Sequence, residues 1–177
     1  MFSTQTIQSS LANFLRVFVR TSTTAQPLVA APARSKTRPS LTISLRQAAT
    51  PSATAVMTIC GKVDSRSYQS LVEKSAHLRA GGIQQLVVDL HEMPTLELTG
   101  LYALHCIAKI FRDERHADPE HGLSGLRRIA EENLEAGMHP HVKLLVADKA
   151  MAEKLTQAGL DQLFTIHRTE TNALRSF

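Results

Sequence analysis

Hydrophobic and polar residues follow a regular strand pattern from about residue 41 onward. Residues 41–45 alternate apolar and polar side chains with a period of two, which predicts a strand with one buried face. Residues 55–60 form an apolar, β-branched stretch that ends at Gly61, after the turn-like residues 50–54. Two short strands with a short connection predict a β-hairpin.

The next part of the chain predicts a helix and a buried strand. Side chains recur at helical spacing over about 67–80, and Asp64 or Ser65 is placed to cap the start of that helix. The glycine pair 81–82 follows, and a left-handed C-terminal cap favours glycine. The apolar centre of 83–90 indicates a strand that is covered on both faces, as in a parallel or mixed sheet.

The second half of the chain repeats this alternation. We predict a helix that starts near Thr99, a buried strand over 142–147, a helix over 149–158 opened by Asp148 and ended by Gly159, a short strand over 163–166 and a last helical turn or two over 170–177. The order β-β-α-β-α-insert-β-α-β-α predicts an α/β fold with a mixed sheet backed by helices.

Residues 1–40 have a different composition and are predicted to be a basic, Ser/Thr-rich tail outside a single domain over 41–177. The proline-rich stretch 25–39 shows no apolar periodicity, so the tail lacks the apolar surface needed to offset its ordering entropy. We predict that residues 1–40 are disordered except for a short helix within 8–20.

One part of this tail has amphipathic spacing. Leu11, Phe14, Leu15 and Phe18 lie at positions i, i+3, i+4 and i+7, with two arginines on another side. Three interpretations remain open: a transient helix in a disordered tail, a helix over 8–20 that contacts a membrane surface or a partner, and an organelle transit peptide.

The charge is uneven along the chain. Residues 1–63 hold seven basic and no acidic residues, whereas residues 64–177 hold 13 basic and 16 acidic, so +7 and −3 give the net +4. The body therefore lacks the clustered cations of a nucleic-acid-binding surface. Two distant cysteines, Cys60 and Cys106, cannot form a disulfide framework or a four-thiolate zinc site, and they predict reduced, buried thiols of a cytoplasmic protein.

Four short motifs occur in a characteristic order: Gly61-x-x-Asp64, Val88-Asp89-Leu90, Glu97-Leu98-Thr99-Gly100-Leu101 and Ala158-Gly159-Leu160-Asp161-x-Leu163-Phe164. Their order and spacing resemble the STAS domain, the fold of bacterial anti-sigma factor antagonists, over about 41–177. The resemblance implies a non-catalytic regulatory protein of signal transduction and transcription, whose partner is an anti-sigma factor or a switch protein kinase.

The resemblance also implies where that partner docks. The expected surface combines loops 61–67 and 96–102, and its site residues are Asp64, Ser65, Glu97, Leu98, Thr99 and Gly100. Asp64 also has a simpler interpretation as a helix cap, and Asp89 is expected to anchor a loop. An alternative function that STAS domains serve is that of a regulatory subunit of a membrane transporter, in ABC-type lipid transport or an anion permease.

The sequence departs from the family pattern in the third motif. Glu97 replaces the usual aspartate, and Leu98 occupies the position of the phosphorylated serine of kinase-regulated members. Thr99 keeps the second hydroxyl and is the best remaining phosphate acceptor, at a helix start that favours an added phosphate. The alternative is that Thr99 is only an N-cap. Leu98 is then either a core residue or an exposed apolar contact.

About thirty residues, 112–141, lie between the second helix and the next strand. In members of the resembled family this connection is usually short. Helical spacing over 123–134 predicts an added amphipathic helix, which either packs on the protein's own helical layer or forms a homodimer or partner interface. Four histidines flank it: His116, His121, His139 and His141. Their spacing does not fit a zinc site, so we expect exposed loop histidines and no metal.

Catalytic patterns are not evident in the sequence. It shows no Gly-rich phosphate loop, no nucleophile–base pairing and no paired catalytic carboxylates. We therefore expect neither a cofactor nor an enzymatic activity.

Overall fold

The computed structural model describes residues 41–50, 52–114 and 122–177. Within them the elements follow in the predicted order: β1 (Leu41–Gln47), β2 (Thr54–Gly61), α1 (Tyr68–Ala80), β3 (Gln85–Asp89), α2 (Leu98–Phe111), α3 (Gly122–Glu135), β4 (Val142–Leu145), α4 (Lys149–Gln157), β5 (Thr165–His167) and α5 (Glu170–Arg175). The predicted tail and its segment 8–20 lie outside the described residues, as do His116 and His121.

The strands form one mixed sheet in the order β1-β2-β3-β4-β5. β1 pairs with β2 in antiparallel fashion, which confirms the predicted hairpin, and the four strands from β2 to β5 run parallel. Because the carboxyl ends of parallel strands meet at one edge of a sheet, the loops that follow β2, β3 and β4 share that edge.

The main core lies between the sheet and a layer formed by α1, α2, α3 and α4. Alternate strand residues, among them Met57, Leu86, Val88 and Leu144, face this layer and are fully buried. α2 lies at its centre and is buried over most of its length. α1 likewise directs Leu71 and Val72 into this core.

α5 covers part of the opposite face of the sheet. Ala173 packs with Val56, Val87 and Leu145 in a second, smaller cluster. Val87 and its neighbours in β3 are therefore covered on both faces, as their uninterrupted apolar run predicted.

The insertion folds back onto the protein's own helical layer. Leu126 and Ile129 of α3 join the main core. The Asn133 amide donates to the His105 carbonyl of α2 at 3.1 Å, and Lys109 forms an ion pair with Glu132. This is the first of the two arrangements that the sequence allowed for α3.

Several boundaries and environments differ from the predictions. The last strand begins at Thr165, so Leu163 and Phe164 lie in the preceding turn, where both are buried. His139 is not an exposed loop histidine, since its ring is buried among hydrogen-bond partners. Cys106 is buried as expected, whereas Cys60 is only half-buried.

The described ranges contain no helix that combines the length and the apolar character needed to cross a membrane.

Candidate functional site

The two loops of the expected surface follow neighbouring parallel strands and contact each other. Loop 61–67 leaves β2 at Gly61, whose φ of 97° lies in the left-handed region that favours glycine. The Gly61 N–H donates to the carbonyl of Glu92 in the loop after β3, at 3.2 Å. The sheet topology thus brings together two segments that are about thirty residues apart in the sequence.

Asp64 organises the turn that leads into α1. Its carboxylate accepts hydrogen bonds from the Ser67 hydroxyl at 2.8 Å, the Ser67 N–H at 2.9 Å and the Arg66 N–H at 3.0 Å. These bonds, chiefly that of the Ser67 hydroxyl, hold the pKa of Asp64 below its usual range. The carboxylate side chain is therefore fixed in direction and charged.

The prediction that Asp64 or Ser65 caps the start of α1 is wrong. α1 begins at Tyr68, and the residue at its N-cap is Ser67. Asp64 instead caps the turn that precedes the helix, while Ser65 is exposed at the tip of that turn.

Thr99 joins the two loops through its side chain. Its hydroxyl donates to the Val63 carbonyl at 2.7 Å, across 36 positions of the sequence. The N-cap interpretation of Thr99 is wrong, because α2 begins at Leu98 and the cap position belongs to Glu97, which makes no side-chain capping bond. Thr99 is half-buried and holds the backbone of loop 61–67 against the start of α2.

Glu97 adds a second link on the outer side of the loops. Its carboxylate lies 2.7 Å from the Lys62 ammonium group, and both side chains are exposed. The hydrogen bond with Glu97 raises the pKa of Lys62. Lys62 and Glu97 thus place one positive and one negative group side by side at the sheet edge.

Gly100 and Leu98 set the contact between α2 and the loops. A Cβ at Gly100 would lie 3.1 Å from Leu96 Cδ1 and 3.8 Å from Val63 Cβ, which is the close approach that glycine permits. Leu98 is half-buried and packs against the edge of the main core. Its environment is intermediate between the two that the sequence allowed, since part of it contacts the core and part faces solvent.

Two tyrosines behind the loops were not singled out from the sequence. The rings of Tyr68 in α1 and Tyr102 in α2 meet edge to face, with centroids 5.9 Å apart. A signal was present, because each tyrosine lies within one helical turn of its loop, but spacing alone does not show that the two helices are neighbours.

Asp89 anchors the loop that follows β3, as expected. Its carboxylate accepts from the His91 N–H at 3.0 Å and from the Thr58 hydroxyl at 3.3 Å, and it lies 2.6 Å from His91 Nδ1. His91 was not identified from the sequence as its partner. Asp89 therefore fixes the direction of the chain as it leaves the sheet toward Glu97.

The resulting surface is suited to contact with another macromolecule. The Lys62–Glu97 pair places both charges near the partly exposed Leu98, and the bond from Thr99 to Val63 holds the backbone beneath them. Such a combination of a polar rim and an apolar contact is typical of protein interfaces. In the described ranges no group of three or more His, Cys, Asp or Glu side chains is arranged to hold a metal ion.

Comparison of the sequence with protein-family models and with curated proteins gives no match. The structure is similar to that of an anti-sigma factor antagonist from Mycobacterium paratuberculosis, with a TM-score of 0.55 and 18% sequence identity. The similarity covers 77% of this chain and 93% of that chain. The described residues therefore have the STAS fold that the motifs predicted.

Proposed function

We propose that this protein is a non-catalytic regulatory domain that docks a partner protein through loops 61–67 and 96–102. The main support is the direct connection between these loops. The Thr99 hydroxyl and the Lys62–Glu97 ion pair join them directly, and the bond from Gly61 to Glu92 holds loop 61–67 against the segment that leads into loop 96–102. A surface that is ordered before binding loses less conformational entropy when a partner docks.

The proposed partner is an anti-sigma factor or a switch protein kinase, which places the protein in signal transduction and transcription regulation. The shared fold of an anti-sigma factor antagonist supports this choice. Contact residues would be Asp64, Ser65, Glu97 and Leu98, around the anchor Thr99, whereas Gly100 is buried and would act only by bringing α2 close to loop 61–67. Leu98 would supply a permanent apolar contact where kinase-regulated members carry a serine.

Phosphorylation of Thr99 is a further part of the proposal. The first turn of α2 offers the unpaired N–H groups and the dipole end that stabilise an added phosphate. The modification would remove the hydroxyl donor to Val63 and place negative charge beside Glu97. Phosphorylation would therefore separate the two loops and weaken docking.

Affinity purification of the full chain with mass spectrometry tests the docking surface. A variant that combines Ser65→Arg with Leu98→Arg changes one exposed and one half-buried position of the surface. We expect it to capture the partner at least about tenfold less well than the wild type, because burying two added charges costs several times the thermal energy. Phosphosite mapping on the same sample tests modification of Thr99.

A matched control carries the same two added arginines at the amino ends of the parallel strands, away from the two loops. Gln84 precedes β3 and Gln162 precedes β5, and both are exposed. The control variant should capture the partner as the wild type does. Equal loss in both variants, or equal capture by both, would rule out the loops as the docking surface.

Three other expectations remain predictions. The transporter-subunit function is not tested by the shared fold, and the membrane contact concerns residues 8–20, which lie outside the described ranges. A homodimer through 112–141 would have to use the outer face of α3, where Arg127 and Arg128 form ion pairs with Glu131 and Glu132.

A further inference from the structure

Strand β1 forms one edge of the sheet and has the features of a strand that accepts another strand. All seven of its residues pair with β2 in unbroken register, so the strand carries no bulge. Among the described residues, β2 is the only strand that pairs with β1. β1 contains neither proline nor lysine, the residues that most often protect edges, and its Arg46 forms an ion pair with Glu170 of α5.

The open edge presents the backbone groups of alternate residues. The Ala48 N–H donates to the Thr54 carbonyl of β2 at 2.9 Å. In an antiparallel pair the hydrogen-bonded positions alternate, so the even-numbered residues of β1 bond with β2. The N–H and C=O groups of Leu41, Ile43, Leu45 and Gln47 therefore point away from β2 toward the open edge.

The helix-facing side of the same strand is incompletely covered. Leu41 and Ile43 are half-buried, and Leu45 is 42% exposed. Leu45 and Met138 are the exposed large hydrophobic residues of the described chain. An apolar row beside backbone groups that no described strand pairs is what a docking strand with matching apolar residues would cover.

We propose that β1 pairs with β1 of a second copy of this chain, antiparallel and centred on Ser44. In this register all seven residues of each strand are paired, and Ile43 lies opposite Leu45 of the second copy. The hydrogen-bonded positions are the odd-numbered ones, so the pairing satisfies the outward-pointing groups of both strands. The result is one continuous sheet of ten strands around a twofold axis.

The polar face of β1 is compatible with the same register. Thr42 lies opposite Arg46 of the second copy, and the two Ser44 residues face each other, so no like charges meet. Shifting the centre to Arg46 would shorten the pairing and place two arginines opposite each other, which destabilises a pair of strands. Length and charge together favour the centre at Ser44.

Disulfide trapping in the full chain tests both the pairing and its register. The two Ser44 positions form a non-hydrogen-bonded pair, whose short Cα separation permits a disulfide. The variant Ser44→Cys should form a covalent dimer under mild oxidation at least about tenfold faster than Arg46→Cys, which faces Thr42 of the second copy and lies opposite Val56 within its own chain. The unmodified chain reports the background from Cys60 and Cys106.

Analytical ultracentrifugation provides the second measurement. The unmodified chain should show a concentration-dependent monomer–dimer equilibrium. Leu45→Lys should shift that equilibrium to monomer, because a charged edge residue opposes pairing. Met138 is 51% exposed and lies next to β5, at the end of the sheet order opposite to β1. Met138→Lys should therefore leave the monomer–dimer equilibrium unchanged.

Three results would overturn the proposal. The first is a chain that stays monomeric at all concentrations. If the amides of Ile43 and Leu45 in such a monomer resist hydrogen exchange, another part of the same chain covers the edge of β1. The second is equal trapping of Ser44→Cys and Arg46→Cys. The third is a dimer that Leu45→Lys does not weaken.

Discussion

At the scale of single residues, the Thr99 hydroxyl connects two loops that belong to different strands. The variant Thr99→Val keeps the side-chain volume but removes the donor to the Val63 carbonyl. We expect it to lower the free energy of unfolding by about 1 kcal/mol, the usual contribution of such a bond. Urea denaturation measures the loss, and hydrogen exchange should show faster opening of loop 61–67 than of the β-sheet.

The control for this prediction is Thr99→Ser, which retains a hydroxyl at the same place. Its loop 61–67 should exchange hydrogen as slowly as that of the wild type. If Thr99→Val and Thr99→Ser opened the loop equally, the bond to Val63 would not be what holds it.

Two buried histidines make the stability of the protein depend on pH. Burial lowers the pKa of His105 to about 4, and burial likewise lowers the pKa of His139 to about 4. The His139 ring accepts from the His141 and Val142 N–H groups through Nδ1, which leaves Nε2 to donate to the Ala108 carbonyl. The folded protein therefore holds this imidazole neutral.

The sign of the pH dependence follows from these pKa values. In the unfolded chain the imidazoles take up protons near pH 6.5, so the stabilisation is fully present above that pH and is lost as the pH falls toward 4. By about pH 5 each histidine should account for a loss of roughly 2 kcal/mol. Urea denaturation at about pH 7.5 and about pH 5 measures it.

A direct check is an NMR titration of the imidazole resonances. Those of His105 and His139 should titrate near pH 4. A His105→Gln variant should reduce the stability loss between neutral and acidic pH. Unchanged pH dependence in that variant would contradict the role given to His105.

Residues such as His139 show what the sequence does not contain. It lies between Met138 and Pro140 in a segment that looks like an ordinary polar loop. Tertiary contacts bury it: the backbone N–H of His139 donates to the Leu163 carbonyl in the turn before β5, and the ring contacts Phe164. Local spacing does not reveal contacts between segments so far apart.

Among the elements, α3 is linked to α2 by the buried hydrogen bonds of Asn133, in addition to its apolar contacts with the core. The Asn133 amide donates to the carbonyl of His105 and contacts His105 Nδ1 at 3.2 Å, and the Arg112 guanidinium lies 3.3 Å from its side-chain oxygen. We expect Asn133→Ala to lower the free energy of unfolding by about 1–3 kcal/mol, since it leaves buried polar groups without partners. Thermal or urea denaturation measures the change.

The matched control on the same helix is Arg127→Ala, which removes an exposed ion pair with Glu131. Such pairs contribute about 0–1 kcal/mol, so this variant should remain close to the wild type. A comparable loss in both variants would mean that α3 is stabilised evenly along its length rather than at Asn133.

Most elements were predictable because their signals are local. The alternation in β1, the apolar run in β3 and the Asp148 side chain, which accepts from two N–H groups at the start of α4, needed no tertiary information. The start of β5 and the N-cap of α2 were misplaced. α2 starts at Leu98 without a side-chain cap, and the apolar pair at 163–164 is buried in a turn rather than a strand.

At the scale of the whole molecule, the candidate site depends on which loops the topology brings together. The motifs predicted that Asp64 and Thr99 belong to one surface, and the parallel pairing of β2 with β3 places their loops side by side. The sequence did not give the contact itself, the Thr99–Val63 bond, nor the open edge at β1. Both depend on the order of strands, which hydrophobic periodicity does not encode.

The Lys62–Glu97 pair allows stability and partner docking to be separated. Both side chains are exposed, so Lys62→Glu should change the free energy of unfolding by less than about 1 kcal/mol. If the loops dock a partner, the reversed charge should still lower capture by at least about tenfold. A Lys62→Glu, Glu97→Lys double variant should restore the ion pair and part of the binding.

Arg127→Glu breaks an equally exposed pair on α3 and should not affect capture. Capture that falls only in proportion to lost stability, in either variant, would show that the charges at this edge support the fold and do not contact a partner.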